Sequence, residues 1–435
     1  MVAFIYLMTG IFYIVSILFL FKRDRKIDIT NPLLIFTLYY GATIFVLPGL
    51  QIINEDFRYA DLYSTETYLK SYVYLNLFII SMVITYLLFY RKIKNENRYN
   101  FENWIPLTSF EKNFVRIILL IPITFSVLFY LNIINANGYQ SFIANRIILL
   151  RGQGYFSVLI LIIPVLVAFE FLNIFVSNKT KKIRTSLYIG VLVILSFLPG
   201  LLSGSRTNFV LGIILITIIA IFLINKGRLP NFKKIVPYTL IIVSVIVFVA
   251  FLQGVRQNIM SGQKIVDNTS FIEKLAGGFG TAENLFWSFE NNATYYLMGK
   301  SILAVFVGWI PRSIWNDKPY GGAPVFTNTI NPGNYNLQGN NITSYTTGLP
   351  FEFYMNFGFL GAIIGGFLFA IALIVIGHFR KKIKNSLTFM IWIMLMYCTL
   401  MFLHSEIYGA TIRFVPFVIP LLVINFILKY LKKKR

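Results

Sequence analysis

The chain has 435 residues, of which 57% are hydrophobic and only 13% charged, about half the charged fraction of an ordinary soluble domain. That excludes a soluble globular protein. It also moves the meaning of the net charge of +22 from nucleic acid to topology, because Lys and Arg collect in cytoplasmic loops. A single cysteine, Cys398, excludes an intramolecular disulfide and a cysteine-based zinc site.

A membrane span needs about 20 consecutive apolar residues. On that measure the chain predicts an all-α integral membrane protein with about 11 transmembrane helices, at 3–21, 32–53, 72–90, 114–136, 155–177, 186–202, 207–225, 235–253, 356–377, 386–403 and 414–430. The first run lacks a basic stretch before it and is followed at once by Lys22-Arg23-Asp24-Arg25-Lys26, so it is read as a retained span and not a signal peptide. Loops after odd-numbered spans are short and basic, as in Lys179, Lys181, Lys182 and Arg184, or Arg380, Lys381, Lys382 and Lys384, and the chain ends in Lys432-Lys433-Lys434-Arg435. This asymmetry predicts an outer N-terminus and a cytoplasmic C-terminus.

Polar complexity therefore lies on the outer side. The 54–71 loop reads as acidic and ordinary. The 137–154 loop carries Arg146 and Arg151, and spans six and seven meet in the tight turn Ser203-Gly204-Ser205-Arg206-Thr207-Asn208. Between spans eight and nine runs one long outer loop, about 254–355, the only extended polar region of the chain. The whole of 1–435 reads as a single polytopic membrane domain, with this loop as its substrate-binding cap. Inside the loop, 301–310 is apolar but too short to span, which suits a re-entrant or interfacial helix, and 325–347 is rich in Asn, Gly, Thr and Tyr, which suits irregular backbone. A short outer loop, His404-Ser405-Glu406-Ile407-Tyr408, leads to Arg413. No internal repeat relates the two halves, which argues against an inverted-repeat transporter.

Several residues in this outer zone can carry chemistry. Arg206 follows a glycine turn at the start of a helix, where the helix N-terminus and a guanidinium both favour a phosphate; the structural alternative is an arginine snorkelling into headgroups. With Arg146, Arg151, Arg256, Arg312 and Arg413 it puts several arginines on the face that topology statistics leave poor in them. A diphosphate-bearing lipid would pair with them, as would local carboxylates. The run Pro311-Arg312-Ser313-Ile314-Trp315-Asn316-Asp317-Lys318-Pro319-Tyr320-Gly321-Gly322 sets Trp315 and Tyr320 beside Asp317 and Lys318, a sugar-binding composition; the alternative is an interfacial aromatic belt. Glu352, Glu406 and His404 stand at span mouths, each a candidate general base or a solvated side chain. Glu170 inside the fifth span is a candidate partner for Arg116 in the fourth.

No P-loop, GxGxxG, HExxH or Asp-rich metal motif is present, so no metal site or nucleotide cofactor is expected. An enzyme working on the outer face without nucleotides needs a pre-activated substrate. The Ser203–Thr207 turn, the Ile310-Pro311-Arg312…Trp315…Asp317-Lys318-Pro319 run, Glu352…Asn356-Phe357-Gly358…Gly361 opening a span and Arg413 opening the last one together resemble the Wzy-type repeat-unit polymerases of O-antigen, capsule and exopolysaccharide synthesis. The resemblance implies a glycosyltransferase of the bacterial cytoplasmic (inner) membrane. Its donor would be an oligosaccharide on undecaprenyl diphosphate and its acceptor a sugar on a second lipid-linked unit, with a chain-length regulator and a flippase as partners and no nucleic acid. Arg206 and Arg312 would bind the diphosphate, with Arg146, Arg151, Arg256 and Arg413 in reserve, and Glu352 or His404 would be the base. Two alternatives stay open: an O-antigen ligase-like glycosyltransferase, and a transporter or flippase of lipid-linked oligosaccharide.

Overall fold

The computed structural model describes residues 2–23, 32–89, 104–105, 107–150, 159–177, 188–192, 194–195, 198, 202, 281–295, 297–308, 310, 314–335, 344–380 and 382–433. Among these the protein is helical, with no strand. In chain order the elements are α1 (Val2–Arg23), α2 (Pro32–Tyr40), a π-helical turn (Gly41–Val46), α3 (Leu47–Asn54), α4 (Thr65–Phe89), α5 (Ser109–Asn137), α6 (Tyr139–Leu149), α7 (Ile162–Ser177), α8 (Ala282–Glu290), α9 (Lys300–Val307), α10 (Gly322–Ile330), α11 (Leu349–Phe357), α12 (Leu360–Arg380), α13 (Ser386–His404) and α14 (Ile407–Lys433). The predicted spans 207–225 and 235–253, and part of 186–202, lie outside the described residues.

Thr65–Phe89, Ser109–Asn137, Leu360–Arg380, Ser386–His404 and Ile407–Leu431 are each long and apolar enough to cross a membrane. Their surfaces agree with a lipid surround. On α5, Val115, Leu119, Ile123 and Tyr130 are buried while Ile117, Ile121, Phe125 and Leu128 are exposed. Such an apolar stripe would be a liability in water and is what hydrocarbon requires.

Two span boundaries depart from expectation. The ninth span begins at Leu360 and not near 356, because Gly358 adopts φ 58 and ψ −140 and ends a separate helix, α11. That conformation is open to glycine and strained for any residue with a Cβ. The last helix begins at Ile407, so Arg413 lies within it instead of opening it. Of the 325–347 segment expected to be irregular, 325–330 belongs to the helix α10; the apolar 301–310 stretch does contain a short helix, α9.

The chain divides into two compact units, one of Met1–Asn95, Thr269–His378 and Met396–Ile412, the other of Glu96–Asn268, Phe379–Leu395 and Arg413–Arg435. The first has an aromatic core in which Phe36, Tyr40, Tyr72, Phe78, Phe286, Phe326 and Phe351 are fully buried. α12 approaches α4 so closely that a Cβ on Gly366 would lie 2.3 Å from the Phe78 carbonyl oxygen, and Ser81 Oγ donates to the Ile363 carbonyl at 2.6 Å. Small residues at such a crossing let two backbones make contact where lipid supplies no hydrophobic drive. In the second unit α5 opens with a capping box between Thr108 and Glu111. Arg116 then grips Glu170 of α7 bidentately, Nε to Oε1 at 2.7 Å and Nη2 to Oε2 at 2.8 Å, and Tyr188 donates to the same carboxylate at 2.9 Å. The sequence left this pairing open; the structure makes it, and a buried carboxylate needs it.

Candidate active site

The site is built where α11 starts. Gly348 holds φ 71 and Pro350 sits in the first turn, so the chain turns sharply into a helix whose first-turn acid is Glu352. Phe351, Phe353 and Met355 are buried around it, which draws Glu352 inward with them; it is fully buried. Its Oε2 accepts from the backbone N–H of Ile407, the first residue of α14, where a helix N-terminus favours negative charge.

Two adjacent glycines bring a second acid to the same place. A Cβ on Gly322 would lie 2.9 Å from Glu352 Cγ and 3.2 Å from its Oε1, and a Cβ on Gly321 would lie 2.2 Å from Glu406 Oε2. Glu406 Oε2 in turn accepts from the Ala323 N–H at 2.9 Å, at the head of α10. Any larger residue at 321 or 322 would occupy the space the carboxylates use. Pro319-Tyr320-Gly321-Gly322 therefore reads as a cradle for two acids as well as a turn.

Burial pushes the Glu352 carboxyl up to about 7, and the negative charge of Glu406 pushes in the same direction. The Ser301 hydroxyl and the Ile407 and Gly322 N–H groups favour its ionised form but are outweighed. Oε1 nevertheless makes no hydrogen bond of good geometry. A carboxylate that is about half ionised at neutral pH, with one oxygen uncommitted, is matched to taking a proton from a hydroxyl group.

The other expected residues fall in several places. His404 ends α13, two residues before Glu406, and is half-buried. Gly348, four residues before Glu352, packs against the Leu403 carbonyl, so the start of α11 abuts the end of α13. Lys318 is used structurally: its Nζ donates to the Gly308 carbonyl at 2.9 Å and the Ile310 carbonyl at 2.7 Å. Trp315, Asp317 and Tyr320 are exposed, and Tyr320 meets Tyr335 edge-on with ring centroids 5.8 Å apart. Arg413 is half-buried in α14, and Arg146 lies on α6. Arg151, Arg206, Arg256 and Arg312 lie outside the described residues. The structure thus joins Glu352 and Glu406 with the Gly321–Gly322 turn.

The family model for O-antigen polysaccharide polymerase Wzy matches residues 1–435, the whole chain. The chain belongs to the Wzy family. No curated protein and no solved structure matches it. Membership and the apolar helices together make it a membrane protein of polysaccharide biosynthesis, with a general role in O-antigen polymerisation.

One polar centre of this Wzy-family chain was missed in the sequence, where the 54–71 loop read as ordinary. Glu283, on α8, is fully buried. It accepts from the Arg58 N–H, from Arg58 Nε at 2.8 Å, from the Tyr59 N–H at 3.1 Å, from Gln51 Nε2 at 3.0 Å and from the Tyr63 hydroxyl at 3.3 Å. Burial and then Glu283 hold the Tyr63 hydroxyl far above its usual range, so it stays a donor. Asn284 extends the network, accepting from Arg58 Nη2 at 3.3 Å and donating to the Thr346 carbonyl at 2.7 Å. This clamp fastens the 55–64 loop to the strand-free segment that precedes Gly348, and so to the entry of α11. The available signal was an arginine among aromatics in Phe57-Arg58-Tyr59, but nothing local connects it to Glu283.

Proposed function

We propose that this protein polymerises a polysaccharide by transferring oligosaccharide repeat units from undecaprenyl diphosphate to the sugar end of another lipid-linked unit. The reaction would take place on the outer face of the inner membrane, with the N-terminus outside, the C-terminus in the cytoplasm and the 254–355 loop as the cap over the substrate. The observation that carries the proposal is Glu352, buried beside Glu406 with its carboxyl at about 7 and one oxygen uncommitted, in a chain that matches the family over its whole length.

In the proposed step the acceptor hydroxyl gives its proton to Glu352. Its oxygen bonds to the anomeric carbon of the donor repeat, and the bond from that carbon to the diphosphate oxygen breaks. The electron pair leaves on undecaprenyl diphosphate. Arg206 and Arg312 would bind the leaving diphosphate, where negative charge develops, with Arg146, Arg151, Arg256 and Arg413 contributing and Trp315, Asp317, Lys318 and Tyr320 lining the sugar path. The anomeric diphosphate bond already carries the driving energy, so neither nucleotide nor metal is required. Glu352 is preferred to His404 as the base for its full burial and for its carboxyl raised to about 7.

The test is purified protein in nanodiscs given the undecaprenyl-diphosphate-linked repeat unit of its own source, with EDTA and without nucleotide, and products separated as a ladder. Wild type should give a ladder, and Glu352→Gln, Arg206→Ala and Arg312→Ala should not. Transfer only to a lipid A core acceptor would replace polymerase by ligase. Movement of intact lipid-linked repeat across vesicles, with no ladder, would replace the enzyme by a transporter.

A further inference from the structure

α9 is far too short to cross a membrane, yet it is apolar and two-faced. Ser301 and Ala304 are buried, and the chain just past the helix packs so closely that a Cβ on Gly308 would lie 2.1 Å from the Tyr408 ring. The other face is bare: Leu303 is 46% exposed and Phe306 69%, and the flanking Met298 and Ile314 are 80% and 78% exposed. So many large apolar side chains on one short segment are out of place on a water-washed loop.

The backbone holds this face outward deliberately. Met298 and Gly299 both take positive φ, 44 and 86, a conformation unfavourable for a methionine. Asn356 of α11 stabilises it. Its Oδ1 accepts from the Gly299 N–H at 2.9 Å, and its Nδ2 donates to Ser301 Oγ at 2.7 Å and to the Glu352 carbonyl at 2.7 Å. Beyond the far end of α9, the Gly308 and Ile310 carbonyls receive the Lys318 ammonium, which is what free carbonyls need where water is scarce. The bare face also continues a lipid-facing one. Gly299 adjoins the Phe357 ring, Phe359 is exposed just before α12, and Leu360, Ile363 and Phe367 are exposed at the head of that membrane span.

We infer that α9 is an interfacial helix whose Met298, Leu303 and Phe306 side is seated in the hydrocarbon of the leaflet facing the long loop. The occupant of this surface is the bilayer itself. Through Asn356 the helix sets the depth of the turn of α11 that carries Glu352. The inference stands on the geometry of α9 and not on the reaction proposed above.

The test reads depth without activity. Cys398→Ser removes the single native cysteine. Phe306→Cys, and Met298→Cys in a second protein, then receive an environment-sensitive fluorophore in liposomes, with Asp317→Cys as the aqueous control and the exposed Leu368→Cys, nearer the middle of α12, as the mid-span control. Because positions 306 and 298 are exposed, neither label disturbs the core, and each checks the other. Blue-shifted emission, quenching by nitroxide near the headgroup end of the acyl chain and loss of iodide quenching, all without ligand, are expected. Iodide quenching equal to that of the Asp317 site would overturn the inference. So would quenching by chain-terminal nitroxide as deep as at the mid-span Leu368 site. Shielding that appears only when undecaprenyl phosphate is added would overturn it in favour of a groove for a polyprenyl tail.

Discussion

Glu352→Gln should stabilise the fold at alkaline pH while abolishing polymerisation. The buried carboxyl sits at about 7 in the folded protein against an ordinary value of 4.5. Between those values the folded state holds a proton that the unfolded state has lost, so the contribution of this group to stability falls as pH rises from about 4.5 through about 7. The full difference corresponds to roughly 3 kcal/mol, present above pH 8 and absent near pH 4.5. Glutamine keeps an oxygen for the Ile407 N–H and carries no charge to bury, so the variant escapes this penalty. The assay is thermal unfolding of both proteins in one detergent at pH 4.5 and pH 8, at a single scan rate because membrane proteins often unfold irreversibly. Every titrating group outside the coupled Glu352–Glu406 pair is common to the two proteins and cancels in the difference. The variant should match wild type at the lower pH and unfold several degrees higher at the upper one. A loss of stability that grows with pH would refute the reasoning, because it would mean that Glu352 is held ionised as a helix cap.

Three further outcomes follow from the same geometry. Glu406→Gln keeps an acceptor for the Ala323 N–H but removes the like charge beside Glu352; the ascending limb of the pH–rate profile should move from near 7 towards lower pH without reaching 4.5, since burial is the larger cause, and an unmoved limb would disconnect the two acids. Gly321→Ala places a methyl group where Glu406 Oε2 lies, and the flexible acid can swing away; turnover should fall with little change in thermal stability, whereas an equal loss of both would make the turn merely structural. Arg58→Ala leaves Glu283 buried without its cation and should cost about 3–5 kcal/mol, read as a lowered unfolding temperature, while a variant as stable as wild type would show the clamp to be dispensable.

Much of the frame was legible because hydropathy is a local property. α4, α5, α12, α13 and α14 coincide with expected spans, and Glu352 drew notice as an acid at a span mouth. Boundaries were less legible. Gly358 ends α11 through a backbone conformation that composition does not display, and Ile407 starts α14 under a carboxylate from a distant helix. The role of Lys318 was hidden for a similar reason: beside Trp315 and Asp317 it resembles a sugar-binding residue, and its ammonium turns back onto the carbonyls of Gly308 and Ile310. Arg58 and Glu283 are separated by 225 positions and share no periodicity.

By itself the sequence determined that the chain lives in a membrane and that its spans are helices. Those conclusions depend on transfer free energies that each segment carries regardless of its neighbours. Only the tertiary structure decided which polar groups meet: Arg116 with Glu170, Arg58 with Glu283, and Glu352 with Glu406 over Gly321 and Gly322. A buried charge takes its protonation state and its partner from everything packed around it, and packing joins residues that the sequence keeps far apart.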